Sequence, residues 1–366
     1  MTNWQQLVRN SVTTIEELEE HFPGYGRQIP GVIETYPMRI NPYYLSLIKE
    51  PGDPFWRQAV PDGRELSDPQ GLPDPLAEER DSPVPNLTHR YPDRVLFLIS
   101  PECAMYCRFC TRKRKVGRSL VITDSLIQEG IAYIRDNKNI RDVLLSGGDP
   151  LLLDDDRLEA IIRKVREIPH VEIIRVGTRV PCTLPQRITP ALVERLKPYQ
   201  PLFFNLHFNH PRELTPQAAQ ALALLADGGF PLGNQSVLLR GINDHKETLK
   251  ALFTGLLQYR VRPYYLYLAD LAQGTGHFRT DVKTGLEIMS SLQGRVSGLA
   301  LPHFVVDTPG GGGKVPLLEN NLVCSGSDYF QVTNYQGRIF TIPQPPPQEF
   351  PGENGNSYKD QTKEEV

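Results

Sequence analysis

Long hydrophobic runs are missing from this 366-residue chain. No uninterrupted apolar stretch approaches the ~18 residues of a membrane-spanning helix, which excludes such a span. An excess of charge of either sign is missing too: 40 Lys and Arg against 43 Asp and Glu leave a net −3. Nucleic-acid binding driven by bulk charge is therefore excluded. The N-terminus, MTNWQQLVRNSVTTIEELEEHF, is polar and acidic. It lacks the basic-then-apolar order of a signal peptide, so a cytoplasmic protein is expected. Cysteine is scarce: Cys103, Cys107, Cys110, Cys182 and Cys324 make five. An odd count in a long chain without a leader argues against a disulfide framework. With 39% hydrophobic and 23% charged residues, the remainder reads as an ordinary globular protein.

What is present is a rhythm. Short apolar, β-branched or aromatic runs recur at 94–100, 142–148, 171–178, 202–208, 234–241 and 263–270. Helical patterns such as RLEAIIRKVREI and QAAQALALLADGG fill most of the gaps. Strands alternating with helices mean βαβ units and a parallel sheet. The expected fold class is α/β, a partial (β/α)6-type parallel barrel, with 303–307 as a further short edge strand. Residues 1–85 read as a helical N-terminal wrap broken by prolines, with Thr13-Thr14 capping a helix through IEELEEHF. Residues 86–315 form the barrel core, and 316–366 a C-terminal extension. Beyond about 342 the tail is Pro/Gly-rich and polar, so disorder is expected there.

Barrels of this kind gather their chemistry at the C-terminal ends of the strands. The unusual residues of this sequence fall there. The first run leads into Cys103-x3-Cys107-x2-Cys110, and the second into Gly147-Gly148-Asp149. His207 ends the fourth run, Asp270 the sixth, and Asp307 the short seventh, just ahead of PGGGGK with Lys314. Three close thiolates suit an iron–sulfur cluster with one iron left open; a zinc site would need a distant fourth ligand. The glycine run fails as a phosphate loop, since Thr308 and Val315 stand where Gly and Ser/Thr are required. A lysine on a glycine arm can instead form a Schiff base with an aldehyde.

CxxxCxxC after the first barrel strand, followed by GGD after the second, resembles the radical S-adenosylmethionine enzymes. The segments CAMYCRFCTRKR, VLLSGGDPLLLDD, LPQRITP, HFNHP, PLGNQSVLLRGIND, RPYYLYLADLAQGTGHFRT and VVDTPGGGGK then resemble the lysine 2,3-aminomutase family across roughly residues 85–340. The resemblance implies a [4Fe-4S] cluster on Cys103, Cys107 and Cys110. It implies S-adenosylmethionine beside Gly147, Gly148, Asp149, His207 and Gln235, cleaved by one cluster electron to a 5′-deoxyadenosyl radical. It implies pyridoxal 5′-phosphate as a Schiff base on Lys314, with Arg90 and Arg94 of HRYPDR at its phosphate. Arg112 would bind the carboxylate of an amino-acid substrate. Asp270 and Asp307 would hold the distal ammonium of lysine, the charge a buried cation needs. The implied reaction is an isomerisation, L-lysine to β-lysine by 1,2-amino migration. The same chemistry on arginine or ornithine, or a non-catalytic metal-binding protein, stays open. A flavodoxin- or ferredoxin-like electron donor and a homo-oligomer are implied as well, with no nucleic acid or membrane partner. The chain departs from the family's zinc-binding tail: no cysteine follows Cys324, and His245 stands at the matching inner position. No structural zinc is expected. Cys182 and Cys324 read as incidental thiols.

Overall fold

The computed structural model describes residues 3–25, 29, 31–117, 121–318, 321–325, 329–334 and 336–343. The chain divides into two compact units, Met1–Leu318 and Glu319–Val366.

The first unit opens with short helices: α1 (Asn3–Arg9), α2 (Ile15–His21), α3 (Val32–Thr35), α4 (Pro42–Leu47) and α5 (Pro54–Ala59). Thr14 caps α2 in a reciprocal box with Glu17, as its Thr-x-x-Glu spacing leads one to expect. Asn41 and Asp53 cap α4 and α5, each with proline in the first turn. An irregular strap, residues 62–82, follows.

The strap leads into a nine-stranded sheet with its strands in chain order. The strands are β1 (Leu87–Tyr91), β2 (Arg94–Ser100), β3 (Asp142–Gly147), β4 (Ile173–Thr178), β5 (Leu202–His207), β6 (Leu232–Leu238), β7 (Val261–Leu268), β8 (His303–Thr308) and β9 (Gly313–Pro316). Strands β2 to β8 pair in parallel. β1 and β9 close the two edges antiparallel, and the whole forms an open parallel barrel. Helices α6 (Asp124–Asp136), α7 (Asp155–Arg166), α8 (Val180–Thr183), α9 (Pro190–Leu196), α10 (Pro216–Asp227), α11 (Lys246–Gln258) and α12 (Val282–Leu292) fall in the connections. In α7, Asp154 caps the start, and Leu158, Ile161, Ile162 and Val165 are buried along one face. Their spacing is that of an amphipathic helix, and each such burial stabilises by roughly 1.5–3 kcal/mol. Alternate residues of β3 to β6 are buried, because successive side chains point to opposite sheet faces.

The further short strand expected at 303–307 is present and pairs in parallel with β7 as a full member of the sheet. Three features depart from expectation. The two flanking antiparallel strands have no counterpart in the sequence reading. The β6 run begins at Leu232 and ends at Leu238, earlier than 234–241. Leu239 leaves the strand because its N–H donates to Asn243 Oδ1 at 2.7 Å. The second unit contains a three-stranded antiparallel sheet, β10 (Leu322–Ser325), β11 (Tyr329–Thr333) and β12 (Ile339–Pro343), which the sequence reading left as an extension. The expected disorder of the tail concerns residues from 344 onward, outside the described residues. Among the described residues no helix is long and apolar enough to cross a membrane.

Candidate active site

The cysteine loop leaves β2 and is locked from below. Gly148 N–H donates to Ser100 O at 2.7 Å, and Asp149 N–H to Glu102 O at 2.6 Å. This docking explains the paired glycines. A Cβ at Gly147 would stand 2.1 Å from Ser100 O, and one at Gly148 would stand 2.3 Å from Glu102 O. Any side chain would push the two strand ends apart. The Asp149 carboxylate serves the scaffold: it accepts from Thr178 Oγ1 at 2.7 and 2.9 Å, Arg179 N at 2.7 Å and Leu151 N at 3.1 Å. Burial nevertheless pushes its pKa up to about 6. With the carboxylate so occupied, the backbone of this turn is what remains to meet a ligand.

Cys103, Cys107 and Cys110 carry free thiols on one loop and sense one another's charge. Burial first, and then a neighbouring cysteine's charge, raises the Cys103 thiol well above the usual range and Cys110 to about 11. Thiolates crowded this way need compensating positive charge, which metal ions supply. Arg179, just past β4, donates from Nη1 to Cys107 Sγ at 2.8 Å, and from Nη2 to Gln58 Oε1 at 2.6 Å and Glu213 Oε1 at 2.9 Å. A small hollow beside Cys107 and Cys110 is lined by Tyr36, Tyr106 and Lys113. A second small cleft runs from Ser100 and Gly147-Gly148 to Arg112. Among the described residues no three His, Cys, Asp or Glu side chains converge on a single metal-ion position. Three soft donors on one loop with a cationic neighbour suit in kind a larger iron–sulfur cluster.

His207 and Gln235 lie on adjacent strands in register. Burial, then Arg179, lower the His207 pKa to about 3, so the ring is neutral; it lies 5.5 Å from the Phe109 ring centroid. Gln235 Oε1 accepts from Tyr264 Oη at 2.9 Å.

Lys314 stands on β9 directly across from Asp307 on β8. Its Nζ donates to Asp307 Oδ1 at 3.1 Å and lies 5.6 Å from the Tyr267 ring centroid. Its backbone N–H donates to Tyr91 Oη at 3.1 Å. The glycine arm is required here: Gly310, Gly311 and Gly313 take φ of +69°, +80° and +92°, where L side chains are strained. Asp270 is partly buried, and its Oδ1, closed off from solvent, has no hydrogen-bond partner among the described residues. Burial, then the Asp307 charge, push its pKa up to about 7, while Lys314 and Arg112 pull it down. A buried carboxylate pair facing a primary ammonium is a ready-made cation site. The Lys314 ammonium stands in for the kind of group it accepts.

The predicted phosphate and carboxylate arginines are placed less simply. Arg94 stacks over Tyr91, 4.0 Å from the ring centroid, so it reaches the lysine arm through that ring. Arg90 is turned to the strap: Nε donates to Asp81 Oδ2 at 3.0 Å, and Nη2 to Leu76 O. Arg112 reaches the cleft but carries an intramolecular partner, Glu78. His245 begins α11 with its side chain largely exposed. Cys182 is buried and Cys324 is exposed.

The sequence reading missed Glu78, Arg179, Tyr91 and Tyr267. Arg179 follows a strand end and was findable by the rule that located His207. Glu78 sits in an aperiodic segment, with no signal to find it by.

Residues 97–252 match the radical SAM superfamily, and residues 289–366 match the family described as lysine-2,3-aminomutase. L-lysine 2,3-aminomutase of Clostridium subterminale is 51% identical over 94% of this chain and 84% of its own. The chain belongs to the lysine 2,3-aminomutase family. The Methanococcus maripaludis L-lysine 2,3-aminomutase is 50% identical over 93% of this chain and 81% of its own. A relative of different name, glutamate 2,3-aminomutase of Clostridioides difficile, is 43% identical over 94% of this chain and 83% of its own. As a family member the chain is an isomerase of the radical SAM type, and membership implies a [4Fe-4S] cluster, S-adenosylmethionine and pyridoxal 5′-phosphate.

Proposed function

We propose that the substrate is L-lysine and the product β-lysine. The observation that carries this choice is the pair Asp270 and Asp307, with a solvent-shielded Asp270 oxygen unpartnered among the described residues. A glutamate side chain brought there would set like charges together in a dry site, which costs several kcal/mol. An ammonium satisfies both carboxylates.

When bound, the cofactors supply the carbonyl that carries the migrating nitrogen and the carbon radical that abstracts hydrogen. The protein's own part is binding and exclusion of water. Cys103, Cys107 and Cys110 would hold the cluster, and the Gly147-Gly148 backbone, His207 and Gln235 would bind S-adenosylmethionine. Lys314 would carry the pyridoxal phosphate, with Arg94 at the phosphate and Arg90 needing release from Asp81 to join it. Arg112 at one end and Asp270/Asp307 at the other would hold the substrate carboxylate and distal ammonium. The His207 ring stays neutral and adds no charge. We also propose a cytoplasmic protein that takes electrons from a flavodoxin- or ferredoxin-like donor. Assembly with further copies is favoured by exposed apolar residues such as Phe340 and Ile342 of β12.

The test is anaerobic reconstitution with iron, sulfide and pyridoxal phosphate, then S-adenosylmethionine, a reductant and L-lysine, with β-lysine read by mass spectrometry. β-Lysine that is lost in Lys314→Ala and Cys107→Ala supports the reading. Turnover of arginine, ornithine or glutamate with none of lysine overturns the substrate.

A further inference from the structure

Glu78 lies in the strap, away from every strand end, yet it is 5% exposed and is paired with Arg112, which lines the cleft beside Gly147 and Gly148. Its Oε1 and Oε2 accept from Arg112 Nε at 2.9 and 3.0 Å, and Oε1 also accepts from Nη2 at 2.6 Å. Burial opposes the ionised carboxyl, but the arginine charge prevails and its pKa is lowered. The charges of both Glu78 and Arg112 are felt at Asp270, so the ion pair lies within electrostatic reach of that carboxyl.

The hydrogen-bond count decides what the contact does. A guanidinium has five N–H donors in a rigid plane. Glu78 occupies the edge formed by Nε and Nη2. Among the described residues nothing takes the end formed by Nη1 and the second Nη2 hydrogen, and Arg112 lines the cleft beside Gly147 and Gly148. A plug that mimicked substrate would take that open end. A clamp on the side edge leaves it free and fixes where it points. Ala77, immediately before Glu78, has a φ of +52°, a left-handed conformation unusual for alanine, and the strap around it is held at several points. Leu72 N–H donates to Leu271 O at 2.7 Å, and Asp68 accepts from Arg279 Nη2 at 2.8 Å.

We propose that Glu78 is a positioning residue that holds Arg112 by one edge so that its free end meets the α-carboxylate of the amino-acid substrate. This rests on the assignment of Arg112 to that carboxylate, and the test separates the two. Glu78→Gln, Glu78→Ala, Glu78→Asp and Arg112→Lys are compared as reconstituted holoenzymes, with L-lysine as substrate and L-lysinamide as competitor. Lysinamide keeps both amines and lacks the carboxylate. The expected result is a KM for lysine raised on the order of tenfold in Glu78→Ala and Glu78→Gln, with kcat changed much less. Glu78→Asp recovers part of the loss, and lysinamide inhibition stays near the parent value. An unchanged or lowered KM overturns the proposal, as does equal weakening of lysine and lysinamide. If Arg112→Lys also leaves the preference for lysine over lysinamide intact, the assignment of Arg112 fails. If Arg112→Lys loses it and the Glu78 variants do not, only the role of Glu78 fails.

Discussion

Asp270 is a carboxyl whose stability cost and function have one cause. Largely shielded beside Asp307, with Oδ1 unpartnered among the described residues, it holds its proton up to about pH 7. An unfolded chain releases that proton near 3.8. Between those values the native state binds more protons than the unfolded state, so Asp270 makes stability fall as pH rises. Asp270→Asn should therefore raise the melting temperature of the cofactor-free protein near neutral pH while abolishing lysine turnover. Calorimetry and the β-lysine assay check the two halves. The ionised form is the one that attracts an ammonium. The KM for lysine should accordingly fall as pH rises through about 7, and a profile flat across that range would contradict the assignment. Arg179 is the opposite case, a buried cation that is richly paired. Arg179→Met leaves Glu213, which is 0% exposed, without its charge partner. A loss of about 3–5 kcal/mol is expected in urea unfolding of the cofactor-free protein.

Among the elements, the β3 turn and the β8–β9 arm show backbone doing the work usually sought in side chains. The 2.1 and 2.3 Å approaches at Gly147 and Gly148 leave no room for a methyl group. Gly148→Ala should therefore displace the cysteine loop from the turn. S-Adenosylmethionine cleavage, read as deoxyadenosine, should drop by at least about tenfold, with the far-UV circular dichroism retained. The antiparallel register that sets Lys314 against Asp307 explains how two chemically opposed side chains reach one point. Neither residue is near the other by helical or strand periodicity; the tight glycine turn brings them face to face.

Across the molecule, the N-terminal segment completes the barrel mouth. Glu65 is 1% exposed and receives Arg108 Nε at 2.9 Å and Lys113 Nζ at 2.6 Å. Arg108 also donates to Pro37 O at 2.8 Å, and Lys113 to Gly274 O at 3.0 Å. One carboxylate thus ties the cysteine loop to the wrap and, through Lys113, to the loop after β7. Burial lowers the Lys113 pKa to about 8 even with Glu65 beside it, so this lysine depends on its partner for charge. Glu65→Ala would strand two buried cations. A loss of about 3–5 kcal/mol is expected, seen as a lower urea midpoint.

The sequence by itself determined the strand–helix alternation, the cysteine and glycine motifs and the lysine arm. Periodicity and turn chemistry are local, and the strand-end rule then places His207, Asp270 and Asp307 at one mouth. Family resemblance supplied the roles, and it did so because those motifs keep their order along the chain. Tertiary structure alone decided the rest. The edge strands β1 and β9 follow from pairing partners, not from their own short and partly polar sequences. Asp149 became a brace because β4 brings Thr178 and Arg179 to it. Arg90 is bound to Asp81 because the strap folds back over it. Glu78 met Arg112 because a proline-rich segment without periodicity packs against the chain just after the cysteines, and contacts between residues so far apart in the chain are fixed only when the whole chain has packed.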